Sequence, residues 1–127
     1  MTMTEGTVRP DALTARDGGL SLAVHLPWYR SLPVSCLERL EVRLDGTSAR
    51  VRSVAVGGFA GTVDDAAGSD AWWDLRDALD VSLDSPHPSG DVVTVEVDVA
   101  VRIPYMQQAP GVPLVQRAAV RTEATVR

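Results

Sequence analysis

Apolar and polar residues alternate along much of this chain. Leu20, Leu22, Val24 and Leu26 fall on one face of residues 20–26, and Ser21, Ala23 and His25 on the other. Successive side chains of a strand point to opposite faces, so a period of two predicts a half-buried strand. Gly18-Gly19 punctuates its start and Pro27 its end. Leu40-Glu41-Val42-Arg43-Leu44 repeats the pattern and runs into Asp45-Gly46, a strong turn signal. Residues 51–59 predict a weaker strand, broken by Gly57-Gly58, and residues 78–83 another. The clearest element is 93–103. Val93, Val95, Val97, Val99, Val101 and Ile103 make one face; Thr94, Glu96, Asp98, Ala100 and Arg102 make the other. An unbroken β-branched face opposite a polar one predicts a long strand with one wet side. Pro104 is expected to end it, with Tyr105 and Met106 opening a loop through Pro113. A final strand is expected over residues 115–126.

The intervals predict less regular structure. Two prolines bracket two aromatics and an arginine in Pro27-Trp28-Tyr29-Arg30-Ser31-Leu32-Pro33. Proline lacks an N–H and fixes φ, so this is expected to be an ordered loop. Residues 62–70 are small and acidic and are expected to be an exposed loop. Residues 71–77 fit one helical turn or a short strand. On a strand, Trp72 and Trp73 point to opposite faces, one into the core. Residues 84–90 form a turn-rich loop that leaves His87 exposed. Residues 1–16 are expected to be a flexible N-terminal segment, disordered around Met3, which Val8, Pro10 and Leu13 can lay onto the domain. No periodic helical segment appears. The expectation is a single all-β domain over residues 1–127: an antiparallel β-sandwich of about seven or eight strands with little or no helix.

Composition narrows the function classes. The chain has 127 residues and a net charge of −5, with no lysine, and a nucleic-acid binder needs a basic face. The absent lysine and the single isoleucine, Ile103, read as coding bias. Cys36 is the sole cysteine, so no intramolecular disulfide can form. No apolar run approaches the ~20 residues of a membrane span. The first residues lack the basic and apolar regions of a signal peptide, and a cytoplasmic protein is expected.

Candidate chemistry is sparse. Two histidines and one cysteine, far apart in sequence, offer no metal-ligand spacing. His25 reads as a surface or interface histidine and Cys36 as a small buried hydrophobe. Glu38 and Glu41 read as a solvated strand face, and Asp64-Asp65 as a solvated pair. No catalytic residue, metal ligand or cofactor is expected in this chain. The few aromatics, with Arg30, concentrate in proline-bounded loops. Such residues suit either a contact with a partner or a plug closing one end of the sandwich.

Three blocks carry a family resemblance. Leu26-Pro27-Trp28-Tyr29-Arg30-Ser31-Leu32-Pro33-Val34-Ser35, followed by the strand ending in Asp45-Gly46, resembles the small beta subunit of bacterial C-glycoside deglycosidases. There an aromatic-Tyr-Arg-Gly-Leu-Pro-Leu-Ser loop is expected; here Trp28, Ser31 and Val34 depart from it. Val101-Arg102-Ile103-Pro104-Tyr105-Met106 resembles the family's Arg-Ile-Ser-Tyr-Met, with Pro104 the departure. Val8-Arg9-Pro10-Asp11-Ala12-Leu13 resembles its N-terminal Ile-Arg-Pro-Asp-Ser-Leu. The resemblance implies a β-sandwich accessory subunit paired, in a hetero-oligomer, with a sugar-isomerase-like barrel alpha subunit that holds a divalent metal, usually manganese. Together they would cleave the carbon–carbon bond between a 3-oxo sugar and an aromatic, flavonoid-type aglycone. A base on the alpha subunit would remove the acidified C2 proton, and the aglycone would leave by elimination. Trp28, Tyr29, Arg30, Arg102, Tyr105 and Met106 would then face the partner or lie beside substrate, with Arg30 reaching a partner carboxylate and Tyr29 or Tyr105 stacking on an aglycone. The competing reading is a stand-alone carbohydrate-binding β-sandwich with Trp28, Trp72 and Trp73 as its stacking platform. A third is a structural domain whose tryptophans are all core.

Overall fold

The apolar face of residues 93–103 sets the layering, because six β-branched side chains must be covered from one side. The computed structural model describes residues 6–127. Its strands are β1 (Leu13–Arg16), β2 (Gly19–Val24), β3 (Leu32–Pro33), β4 (Leu37–Leu44), β5 (Thr47–Ala49), β6 (Val51–Val56), β7 (Phe59–Gly61), β8 (Trp72–Trp73), β9 (Leu79–Leu83), β10 (Val92–Ala109) and β11 (Val112–Thr125). One sheet has the order β1-β2-β9-β6-β7 and the other β11-β10-β4-β5, while β3 and β8 form a small third pair. The strand pairs are antiparallel, and the all-β expectation holds. Val93, Val95, Val97, Val99, Val101 and Ile103 are buried, as are Leu20, Leu22, Val24, Leu79, Val81 and Leu83 of the facing sheet.

The outer face of β10 is an ionic ladder. Asp98 accepts from Arg117 Nε at 2.9 Å and lies 3.5 Å from Arg39 Nε. Ala100 stands opposite both arginines in the register and is buried. The sequence Leu37-Glu38-Arg39-Leu40 breaks strict alternation, and a bulge explains it. Ala100 pairs with Arg39 and Val101 with Leu37, so Glu38 is the extra residue of β4. Both Glu38 and Arg39 can then face solvent.

Four expectations change. Pro104 does not end the long strand: β10 runs to Ala109 and turns back through Gly111. Ile103 faces Leu114 and the next pair is Gln107 with Pro113, so Pro104, Tyr105 and Met106 bulge out without opposite residues. A bulge tolerates a residue that cannot donate to the ladder. Residues 62–70 hold a one-turn helix, α1 (Val63–Ala66). Thr62 and Asp65 cap each other across it, Asp65 N to Thr62 Oγ1 at 3.1 Å and Thr62 N to Asp65 Oδ2 at 3.0 Å. His87 is only partly exposed and lies 3.5 Å from Asp91. The N-terminal segment is anchored from Thr7 onward. Val8, Ala12 and Leu13 are buried, while Pro10 is exposed but its carbonyl accepts from Thr125 N–H. The disorder expected around Met3 lies outside the described residues.

Of residues 71–77, residues 74–77 form a turn and Trp72–Trp73 the short strand β8. Its position depends on Gly57, in the turn between β6 and β7. Gly57 has φ +58°, and a Cβ there would sit 2.0 Å from the Trp72 carbonyl oxygen. Gly58 has φ +87° with open space around it. Gly57→Ala is therefore expected to lower unfolding stability by more than Gly58→Ala. The second change carries only the strained backbone, about 1–3 kcal/mol; the first adds a steric clash. Urea denaturation of both variants checks the order.

The Arg117 hydrogen bond holds the Asp98 carboxyl below the usual carboxylate range, with the charges of Arg117 and Arg39 assisting and desolvation opposing. A depressed carboxyl contributes stability that is present above its unfolded pKa and lost as pH falls through its folded value. The unfolding midpoint should therefore drop as pH falls below about 4. Asp98→Asn should remove part of that slope in pH-resolved denaturation curves.

Candidate functional site

The chain leaves β2 at Val24, and Pro27 keeps the next residues out of the sheet ladder. Trp28 turns inward and is buried. An indole N–H can only donate, and a buried one needs an acceptor. It finds Tyr105 Oη at 2.6 Å, 77 residues away. The bulge beyond Ile103 swings Tyr105 out of the strand register and into reach. Tyr29 leans on Trp28, with ring centroids 4.9 Å apart and planes inclined by 46°. Arg30 Cζ lies 5.6 Å from the centroid of the Tyr105 ring.

Two energies decide what fixes Tyr105. A cation–π contact at an exposed site contributes about 0.5–1 kcal/mol. Leaving a buried donor unsatisfied costs about 1–3 kcal/mol. The hydrogen bond from Trp28 is therefore the main anchor, and Tyr105 in turn is the platform for Arg30.

A second loop joins this end. Leu75 N–H donates to Ser31 Oγ at 2.7 Å, and the β3–β8 pair sets Leu32 opposite Trp73 and Pro33 opposite Trp72. Trp73 is buried, and its Nε1–H donates to the Asp77 carbonyl at 2.9 Å. Trp72, on the opposite face as the alternation requires, is 58% exposed. The stacking platform of three tryptophans does not form, because Trp28 and Trp73 are core. Nor are all three core, because Trp72 is not.

The result is one apolar end. Tyr29 is 56% exposed, Tyr105 50% and Met106 40%, with Trp72 and Leu75 on the adjoining loop and Val112 and Val115 on the returning strand. Among the described residues, the other large exposed apolar side chain is Val92, at the far end of β10. Clustered exposed apolar residues mark a contact surface more often than scattered ones. Leu75, Val112 and Val115 were not visible as site residues in the sequence, since nothing local distinguishes them from loop or strand residues.

Arg102 is engaged within the chain. Its guanidinium bonds Glu38 Oε1 at 2.7 Å and the Ser35 carbonyl at 3.3 Å, bracing the 3-10 turn at Val34–Cys36. The Glu38 bulge is what brings that carboxylate to it. Burial pushes the Cys36 thiol up, against the opposing pull of Arg102, so it is a protonated core group near neutral pH. Burial, with the Arg9 charge, pulls His25 down, while Asp11 opposes. Among the described residues no group of three or more His, Cys, Asp or Glu side chains could hold a metal ion. No described helix is long and apolar enough to cross a membrane.

Tyr105→Phe removes the acceptor of the Trp28 N–H and is expected to destabilise the isolated chain by about 1–3 kcal/mol. Arg30→Ala, which loses only the exposed cation–π contact, should cost less than about 1 kcal/mol. Guanidinium unfolding curves of the two variants test this ranking.

No protein-family model matches the sequence. Curated relatives do, among them three beta subunits. The 3'-dehydrocarminate deglycosidase beta subunit of a Microbacterium species is 36% identical over 114 residues, covering 87% of this chain and 85% of the relative. The C-glycoside deglycosidase beta subunit of Microbacterium trichothecenolyticum is 32% identical over 111 residues, covering 80% and 76%. One of two from Arthrobacter globiformis is 30% identical over 113 residues, covering 85% and 86%.

Proposed function

The chain belongs to the family of C-glycoside deglycosidase beta subunits, and on that footing we propose that it is the accessory subunit of a heteromeric enzyme that uses the Tyr29–Tyr105 end to dock on its alpha subunit. The alpha subunit, in this reading, is a sugar-isomerase-like barrel that carries the catalytic base and the divalent metal, manganese by the family resemblance. The reaction is cleavage of the carbon–carbon bond between a 3-oxo sugar and an aromatic aglycone of the flavonoid type. The name of one relative specifies a 3'-dehydro substrate, which agrees with a 3-oxo sugar.

The observation that carries the proposal is the gathering of Tyr29, Arg30, Trp72, Tyr105 and Met106 at one end from three separate stretches of sequence. Trp28 and Trp73 stand behind them as internal supports. Aromatic, methionine and arginine side chains are the types enriched at the cores of protein interfaces. In this reading the docked face is where this chain comes nearest the barrel's chemistry. Tyr29 and Tyr105 can present ring faces to an aromatic aglycone there, while deprotonation and elimination proceed on the alpha subunit.

Tyr29→Ala, Trp72→Ala and Tyr105→Ala are each expected to weaken association with the alpha subunit at least about fivefold, the effect of losing about 1 kcal/mol from an interface anchor. Turnover should fall with the loss of complex. Sedimentation of the co-expressed subunits, with turnover of a 3-oxo C-glycoside, measures both. Unchanged association in all three would overturn the docking assignment.

A further inference from the structure

Arg30 sits among the exposed aromatics of the docking end, and it forms no ion pair among the described residues. In the free chain it needs none, because water solvates it. Covering this end changes its situation. A buried, unpaired guanidinium is costly, and the cost is removed only by a paired and hydrogen-bonded anion. Its internal contact is with the face of the Tyr105 ring, 5.6 Å from Cζ to centroid. A guanidinium held against a ring keeps N–H groups on its edge to donate in its own plane, the geometry that suits a carboxylate. Tyr105 is itself held by the Trp28 indole at 2.6 Å. A buried indole thus sets a phenol, and the phenol sets a cation, before any partner arrives. Such preorganisation lowers the ordering cost of binding.

Resting on the docking assignment above, we infer that Arg30 is a preorganised receptor for one carboxylate on the alpha subunit, so that the partner surface is apolar with a single acidic side chain facing Arg30. Tyr105 serves here as a positioning residue that acts through Arg30.

The test uses the co-expressed heteromer with Arg30→Met, which keeps length and apolarity but not charge, and Arg30→Lys, which keeps charge but not the planar fork. Association of Arg30→Met with the alpha subunit should be weaker by about thirtyfold or more, the effect of leaving one member of a buried charge pair alone. Arg30→Lys should recover part of the loss. Arg30 is exposed, so each isolated variant should lose at most the cation–π contact, less than about 1 kcal/mol of unfolding stability. Association of Arg30→Met at wild-type strength or tighter would overturn the inference. If the aromatic variants weaken association in the same assay, the docking assignment survives that result. A heteromer that assembles normally with Arg30→Met but shows a raised KM for a carboxylated aromatic substrate also overturns it, because the anion then belongs to substrate. If the wild-type chain does not associate with the alpha subunit, the docking assignment and the inference fall together.

Discussion

Burial of one β-branched face of β10 is the constraint from which the rest of the structure follows. A strand with six apolar side chains in strict alternation has to be covered by a second sheet on one side and left to water on the other. The covering sheet supplies Leu20, Leu22, Val24, Leu79, Val81 and Leu83. The wet side becomes a ladder of charges in which arginines flank Asp98. Because a strand's side-chain period is two, a slip of one residue would exchange these faces and bury the charges. The register is therefore held by the core and the ladder at once.

The docking end grows out of the same strand. Where Ile103 completes the apolar face, three residues leave the register, and one of them, Tyr105, becomes the acceptor for a buried indole from the opposite end of the sequence. Core and surface are thus coupled at a single hydrogen bond. The aromatic loop after β2 is ordered because its tryptophan is part of the core, while its neighbours Tyr29 and Arg30 remain outside.

Much of this was legible in the sequence, and the failures have identifiable causes. Alternation located β2, β4, β9, β10 and β11; the opposite fates of Trp72 and Trp73 follow only on the strand reading of residues 71–77, which the sequence left open against a helical turn. Trp28 and Tyr105 were recognisable as notable residues, but that one hydrogen-bonds the other depends on tertiary placement across 77 residues. Pro104 lies within β10, against the sequence expectation, because the bulge there removes the need for its missing N–H. The α1 turn was hidden because its cap uses Asp65 where glutamate or glutamine is the usual signal. The ion pair between Arg102 and Glu38 was hidden because it depends on a bulge that a strict period of two does not show.

Residues 125–127 have a mechanical consequence. Thr125 N–H bonds the Pro10 carbonyl, and Arg127 donates to Leu13 and accepts from Ala15, so the end of β11 is stitched to β1 of the opposite sheet. Two stacked sheets joined only by side-chain packing can slide over one another. These backbone bonds lock that shear on one side of the sandwich. A load applied at the aromatic end is then carried by both layers as a stiff bracket, and movement there has to come from side chains and the bulge rather than from slippage of the sheets.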